Sequence, residues 1–303
     1  MKIKTIVAMA CSLVLATASA YTFWHQRLVN MQIARSVTID SLGACQGAKY
    51  LGQQVYLYGD REVGMMRLYH LQHDTLAYDG KEVRFTKEGK DVINHPTGIA
   101  YHEGMPTFIG NSVRMNIAGT EWKAYIYQLD WKGLLQTGTL DGNLLNTVED
   151  DACIQGCRPE YVLYRGKWYV ATADYGNKGN EVRLYDAAAL AAAHKTAEPG
   201  VLVKKFSCGP WVQNLCWLPA EKILVLVQNQ EEGRKWRFSF VNLEQSVATG
   251  EQVVLKTVET AKTDELEGFT FLDSATKGIA VTSSRSSNVH YMQLNWQPVK
   301  ASH

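Results

Sequence analysis

A five-fold internal repeat of short, β-rich units constrains this chain more than any other feature. Each unit opens on a polar residue and a short strand, turns tightly into a second strand, crosses a polar loop and runs a third. The openings are Gln46-Gly47-Ala48, Thr97-Gly98-Ile99, Glu160-Tyr161-Val162, Asn214-Leu215-Cys216 and Glu267-Gly268-Phe269. Second strands follow at 55–60, 106–111, 168–174, 223–229 and 278–284, and third strands at 65–71, 123–130, 181–187, 236–244 and 288–296. Asp60, Asn111 and Asp174 stand at the same offset from their openings. The strands are rich in β-branched and aromatic residues. Units recurring roughly every fifty to sixty residues, each too small to bury its own faces, stack as blades. The pattern predicts an all-β propeller of five blades, each of four antiparallel strands.

Fourth strands are expected at 82–86, 134–140, 201–206 and 252–258, and a short surface helix at 187–194. The fifth unit lacks a fourth strand, because the chain stops soon after Trp296. An open ring would present unpaired strand edges to solvent. The segment 34–42 is therefore expected to join the fifth blade and close the ring from the N-terminal side.

Residues 1–20 are of another kind. Lys2 and Lys4 precede an apolar stretch from Ile6 to Leu15, and Ala18-Ser19-Ala20 supplies small residues for cleavage, so the segment reads as a signal peptide. The propeller domain is then 21–303, with a periplasmic or extracellular destination and no later transmembrane stretch. Removing Lys2 and Lys4 takes the formal charge from +1 to −1. Without a basic run, the chain lacks the electrostatic footprint of a nucleic-acid binder. Cys45, Cys153, Cys157, Cys208 and Cys216 follow the signal segment, and their spacing fits no zinc site. An oxidising compartment would allow disulfides, and the odd number leaves at least one thiol unpaired; Cys157 has either Cys153 or Cys208 as a possible partner.

The turns between first and second strands are short and share one face. The longer, more polar loops share the other, which is where binding residues are expected. That face collects Asp60, Arg61, Asn111, Arg114, Asp174, Trp211, Asn229 and Arg285 as ligand-binding candidates. Aromatic faces, amides and guanidinium groups of this kind would hold a small polar molecule or an extracellular or periplasmic protein partner. Alternatively, Glu160, Asn214 and Glu267 converge at the channel and bind a hard cation such as Ca²⁺ through oxygen. Such a metal would activate water or a carbonyl, with His95 or Asp174 as general base. His70 and His73 fall at a turn on the opposite face and read as exposed histidines.

The openings Arg158-Pro159-Glu160 and Leu266-Glu267-Gly268, with strand endings such as Arg183-Leu184-Tyr185-Asp186, resemble propellers of the NHL, gluconolactonase-like (regucalcin) and strictosidine-synthase-like class. The resemblance implies a metal held by acidic and amide side chains at inner strand ends, and a lactone or ester substrate. Members of that class carry six blades, one more than this repeat provides.

Overall fold

Each repeat folds into one four-stranded antiparallel sheet. The computed structural model describes residues 26–298, apart from 41, 154, 231–234, 263 and 273–274. The signal segment expected at 1–20 lies outside the described residues. Blade 1 comprises Cys45–Leu51, Gln54–Asp60, Gly64–Gln72 and Thr75–Arg84. Blade 2 comprises Pro96–Ala100, Thr107–Arg114, Trp122–Leu129 and Leu144–Glu149. Blade 3 comprises Glu160–Tyr164, Lys167–Ala173, Glu181–Asp186 and Leu202–Ser207. Blade 4 comprises Val212–Leu218, Ile223–Asn229, Trp236–Asn242 and Val254–Glu259. Blade 5 comprises Leu266–Phe271, Lys277–Thr282 and Val289–Pro298, completed by Gln26–Val37 from the other end of the chain.

The inner strands contact one another in the order 1–2–3–4–5–1, so the ring is closed. Five buried clusters fill the five gaps between blades. Side chains alternate across each sheet, so both faces of every blade are apolar and each is covered by a neighbour. This is a five-bladed β-propeller.

Three details differ from the sequence expectation. The closing strand starts at Gln26 and ends at Val37, rather than spanning 34–42. Register shifts at Leu28/Asn30 and Ile33/Arg35 break its two-residue periodicity, which hides it in the sequence. The segment 134–140, expected as a strand, falls largely in the helix Trp131–Thr137. Asp130 caps that helix by accepting from the Gly133 N–H, Leu134 buries against the core, and Gly138 ends it in the left-handed conformation. The device recurs after the third strands of blades 3 and 4, where Asp186 and Asn242 cap Ala187–Ala192 and Leu243–Thr249. In blade 1 the outer strand begins at Thr75, not 82, because His73 and Asp74 both adopt positive φ and make a two-residue hairpin turn. His70 there pairs with Asp79.

The seam between the chain ends carries a buried histidine. The Nδ1 of His290 meets the Ser36 hydroxyl at 2.7 Å, its Nε2 has no hydrogen-bond partner among the described residues, and its ring packs edge-on to Trp236. Burial, helped by the Lys262 charge, pushes the imidazole down from 6.5 to about 4, against the opposing pull of Asp264. The unfolded chain therefore takes up this proton before the folded one, and stability falls as pH drops from 6.5 to about 4. Within that window His290 contributes a slope of at most about 1.4 kcal/mol per pH unit, steepest midway between the two values. Urea denaturation of wild type and His290→Gln at several pH values checks this: the variant should show the shallower acid loss, and parallel curves would contradict it.

Candidate functional site

The inner strands reach the axis through an irregularity at their starts. In blades 1, 2, 4 and 5 the register slips by one residue at Gln46, Thr97, Gln213 and Glu267. Such bulges re-aim a side chain. Blade 3 has no slip within its first strand pair, so Glu160 is not level with the other openings, and in blade 4 the bulged residue is Gln213 rather than Asn214.

Tyr58 blocks the middle of the channel. A Cβ on Gly47 would sit 2.2 Å from the Tyr58 hydroxyl, so only glycine lets the ring pass over the inner strand. The hydroxyl meets Asn214 at 3.3 Å, and since blades 1 and 4 are not neighbours the contact crosses the ring. With its oxygen toward that hydroxyl, the Asn214 amide donates to the carbonyls of Phe269 (3.2 Å) and Leu215 (3.1 Å). Above this level the long-loop end is filled by a linked polar group. Arg158 is fully buried and donates to the Gln213 backbone and side-chain oxygens at 3.2 and 3.1 Å. Gln213 and Tyr175 both reach Glu265, and Tyr175 lies under the Arg158 guanidinium and against Trp211.

The carboxylates expected to share a cation are engaged separately. Glu160 accepts from Lys49 at 2.5 Å through both oxygens and from the Tyr161 N–H at 2.9 Å. This pair also spans the ring, from blade 1 to blade 3. Burial raises the Glu160 carboxyl above its ordinary value, while Lys49 and the Tyr161 N–H act to lower it. The charge of Glu267 instead acts on Arg158 and on Cys45, whose thiol burial pushes up to about 12. Among the described residues no group of three His, Cys, Asp or Glu side chains is disposed to hold a metal ion. The five described cysteines are free thiols.

Several ligand-binding candidates serve the scaffold. Asn111 is fully buried, accepting from the His95 N–H at 2.9 Å. Asn229 brackets Leu266 in the next blade, accepting from its N–H at 3.0 Å and donating to its carbonyl at 3.1 Å. Asp174 is buried and accepts from the Gln155 N–H at 2.9 Å. Arg114 braces its own hairpin through the Ile117 carbonyl. Trp211 has φ +60° and a buried indole N–H without a hydrogen-bond partner among the described residues.

Three candidates come together. Asp60, Arg61 and Arg285 line a cavity of about 750 Å³ on the long-loop face, between blades 5 and 1, with Asp40 and Asn288. The Asp60 carboxylate is held by His95 Nδ1 at 2.8 Å. Arg61 and Arg285 are exposed and make no hydrogen bond or ion pair with the described residues.

A second cavity, about 460 Å³, went unseen in the sequence. It opens on the short-turn face, and residues from all five blades line it, so it is the open mouth of the axial channel. The Lys49–Glu160 pair forms part of its wall, with Trp168, His102, Tyr101 and Trp217. One signal was available: Lys49 is a charged residue inside an inner strand.

The described residues thus define a closed five-bladed propeller with a cavity of about 750 Å³ on its long-loop face and one of about 460 Å³ on its short-turn face. No family model matches the chain, and no curated protein does. Among solved structures it is similar to the Kuenenia stuttgartiensis hydrazine synthase, at 12% identity and a TM-score of 0.43, covering 80% of this chain and 57% of that one. It is also similar to the β-propeller domain of Myceliophteria thermophila Cps50 (Swd1), at 9% identity and a TM-score of 0.42, covering 88% of this chain and 100% of that one. No helix among the described residues is long and apolar enough to cross a membrane.

Proposed function

We propose that the protein is a propeller scaffold that binds a small polar ligand on its long-loop face, in the cavity between blades 5 and 1. One observation carries this reading: Arg61 and Arg285 line the same cavity, and among the described residues neither guanidinium has a hydrogen-bond or ion-pair partner. Guanidinium groups present planar donor forks that match carboxylate and phosphate oxygens. The ligand therefore carries an anionic group. Asp60, fixed by His95, and Asp40 set its orientation by rejecting the wrong end.

Citrate and inorganic phosphate are suitable probes for titration calorimetry. Saturable heat with at least one of them is expected, weakened about tenfold or more by Arg61→Ala and by Arg285→Ala, the loss of a charge-assisted hydrogen bond in each case. Absence of heat with both probes, or affinity indifferent to both substitutions, would overturn the reading. Calcium titrated in parallel, with Glu160→Gln and Glu267→Gln, tests the metal-dependent hydrolase directly; calcium heat lost in both variants would put that function first. The leader-like segment Met1–Ala20 supports export, and N-terminal sequencing of the secreted protein should begin at Tyr21.

A further inference from the structure

The axial cavity on the short-turn face shares no lining residue with the arginine cavity and differs from it in chemistry. Its polar feature is the Lys49–Glu160 pair, whose side chains are 14% and 7% exposed. A buried ion pair contributes little to stability in net terms, so its position on the open channel asks for another role. The pair retains hydrogen-bonding capacity, because an ammonium has three donors and a carboxylate about four acceptor positions. The walls are aromatic. His102 lies on Trp168 with ring centroids 4.1 Å apart, and Tyr101 and Trp217 stand beside them. Trp217 is largely buried.

These features select a ligand class by elimination. A cation would meet Lys49 and an anion would meet Glu160, so a ligand of net charge is disfavoured at close range. A purely apolar ligand would strip water from the pair and return no hydrogen bond. A ring with hydroxyls on its edge and C–H groups on its faces satisfies every element. Hydroxyls both donate to Glu160 and accept from Lys49, while the C–H face lies on the aromatic wall. We propose that this cavity binds a neutral sugar, a pyranose unit alone or at the end of a glycan.

The test uses the folded full-length mature chain on an array of neutral and charged mono- and oligosaccharides. Bound glycans are then examined as free sugars by saturation-transfer NMR. At least one neutral glycan is expected to bind, with sugar-ring protons receiving saturation. Glu160→Gln and His102→Ala should each weaken it by about tenfold or more, the first by removing a charge-assisted acceptor. His102 lies at a turn outside the inner strands, so its truncation leaves a folded protein in which to read the loss. Lys205→Ala, on the outer strand of blade 3, should leave binding unchanged. Failure of the folded protein to bind any neutral glycan, or binding that survives both Glu160→Gln and His102→Ala, would overturn the proposal. So would a preference confined to charged glycans. Failure of citrate and phosphate titrations leaves this result untouched, so the two readings fail separately.

Discussion

Deleting Gln26–Val37 is expected to abolish cooperative unfolding or to lower stability by most of its total. The strand supplies the entire outer edge of blade 5, pairing from Gln26↔Pro298 to Val37↔Val289. Without it, Val289–Pro298 becomes an exposed edge, and the core between blades 4 and 5 loses Leu28 and Met31, which are 6% and 5% exposed. Each such side chain is worth about 1.5–3 kcal/mol of burial. Their sum alone is a large share of a typical total of about 5–15 kcal/mol, before the lost ladder is considered. The residue change Leu28→Asp with Met31→Asp in an otherwise intact chain should act in the same direction. Urea unfolding followed by tryptophan fluorescence measures both. A truncated protein that unfolds at the wild-type midpoint would mean that another segment closes the ring.

Lys49→Met is expected to cost about 3–5 kcal/mol, the penalty for leaving a buried carboxylate without its partner. Burial already raises the Glu160 carboxyl against the pull of Lys49, so removing the ammonium raises it further. A carboxyl whose folded value lies above its unfolded value favours folding when protonated. The deficit of Lys49→Met should therefore shrink as pH falls toward and below the ordinary value of 4.5, and widen as pH rises. Replacing both residues, Lys49→Met with Glu160→Met, should recover most of the loss, since no charge is then left buried. Denaturation of the two singles and the double at neutral and acid pH gives the coupling directly. A Lys49→Met protein as stable as wild type at neutral pH would mean that the pair does not hold together in solution.

The repeat made the blades legible because each must bury both faces, and that leaves a periodic apolar trace. What escaped the sequence has physical causes. The bulges in Gln26–Val37 scramble the alternation by which a strand is recognised. The capped helix Trp131–Thr137 looked like strand because Asp130 and Gly138 act through backbone geometry, which residue type only hints at. Asn111 and Asn229 are polar residues at strand ends, a pattern that suits a ligand and a backbone bracket equally; in the fold both are buried and bond backbone groups. The Lys49–Glu160 and Tyr58–Asn214 contacts join blades that are neighbours neither in sequence nor around the ring. Only closure brings them together, so beyond the charge of Lys49 inside an inner strand no local pattern announces the axial cavity. Arg61 and Arg285 were legible as loop cations on the same face, although their meeting also depends on blade 5 lying beside blade 1.

Closure by the N-terminal strand is thus the claim on which both cavities rest, and a cross-strand disulfide tests it most directly. Gln32 and Gln293 are register partners across the seam. Side chains directly opposite in an antiparallel pair have Cβ atoms about 4.5–5.5 Å apart, close enough for oxidation to join them with a small adjustment. In the variant Gln32→Cys with Gln293→Cys, mild oxidation followed by peptide mapping should recover a disulfide between positions 32 and 293 in folded protein. Substituting the shifted position, Gln32→Cys with Asn295→Cys, should give much less. A disulfide formed preferentially in the shifted pair, or in neither pair while the protein remains folded, would contradict the closed five-bladed ring.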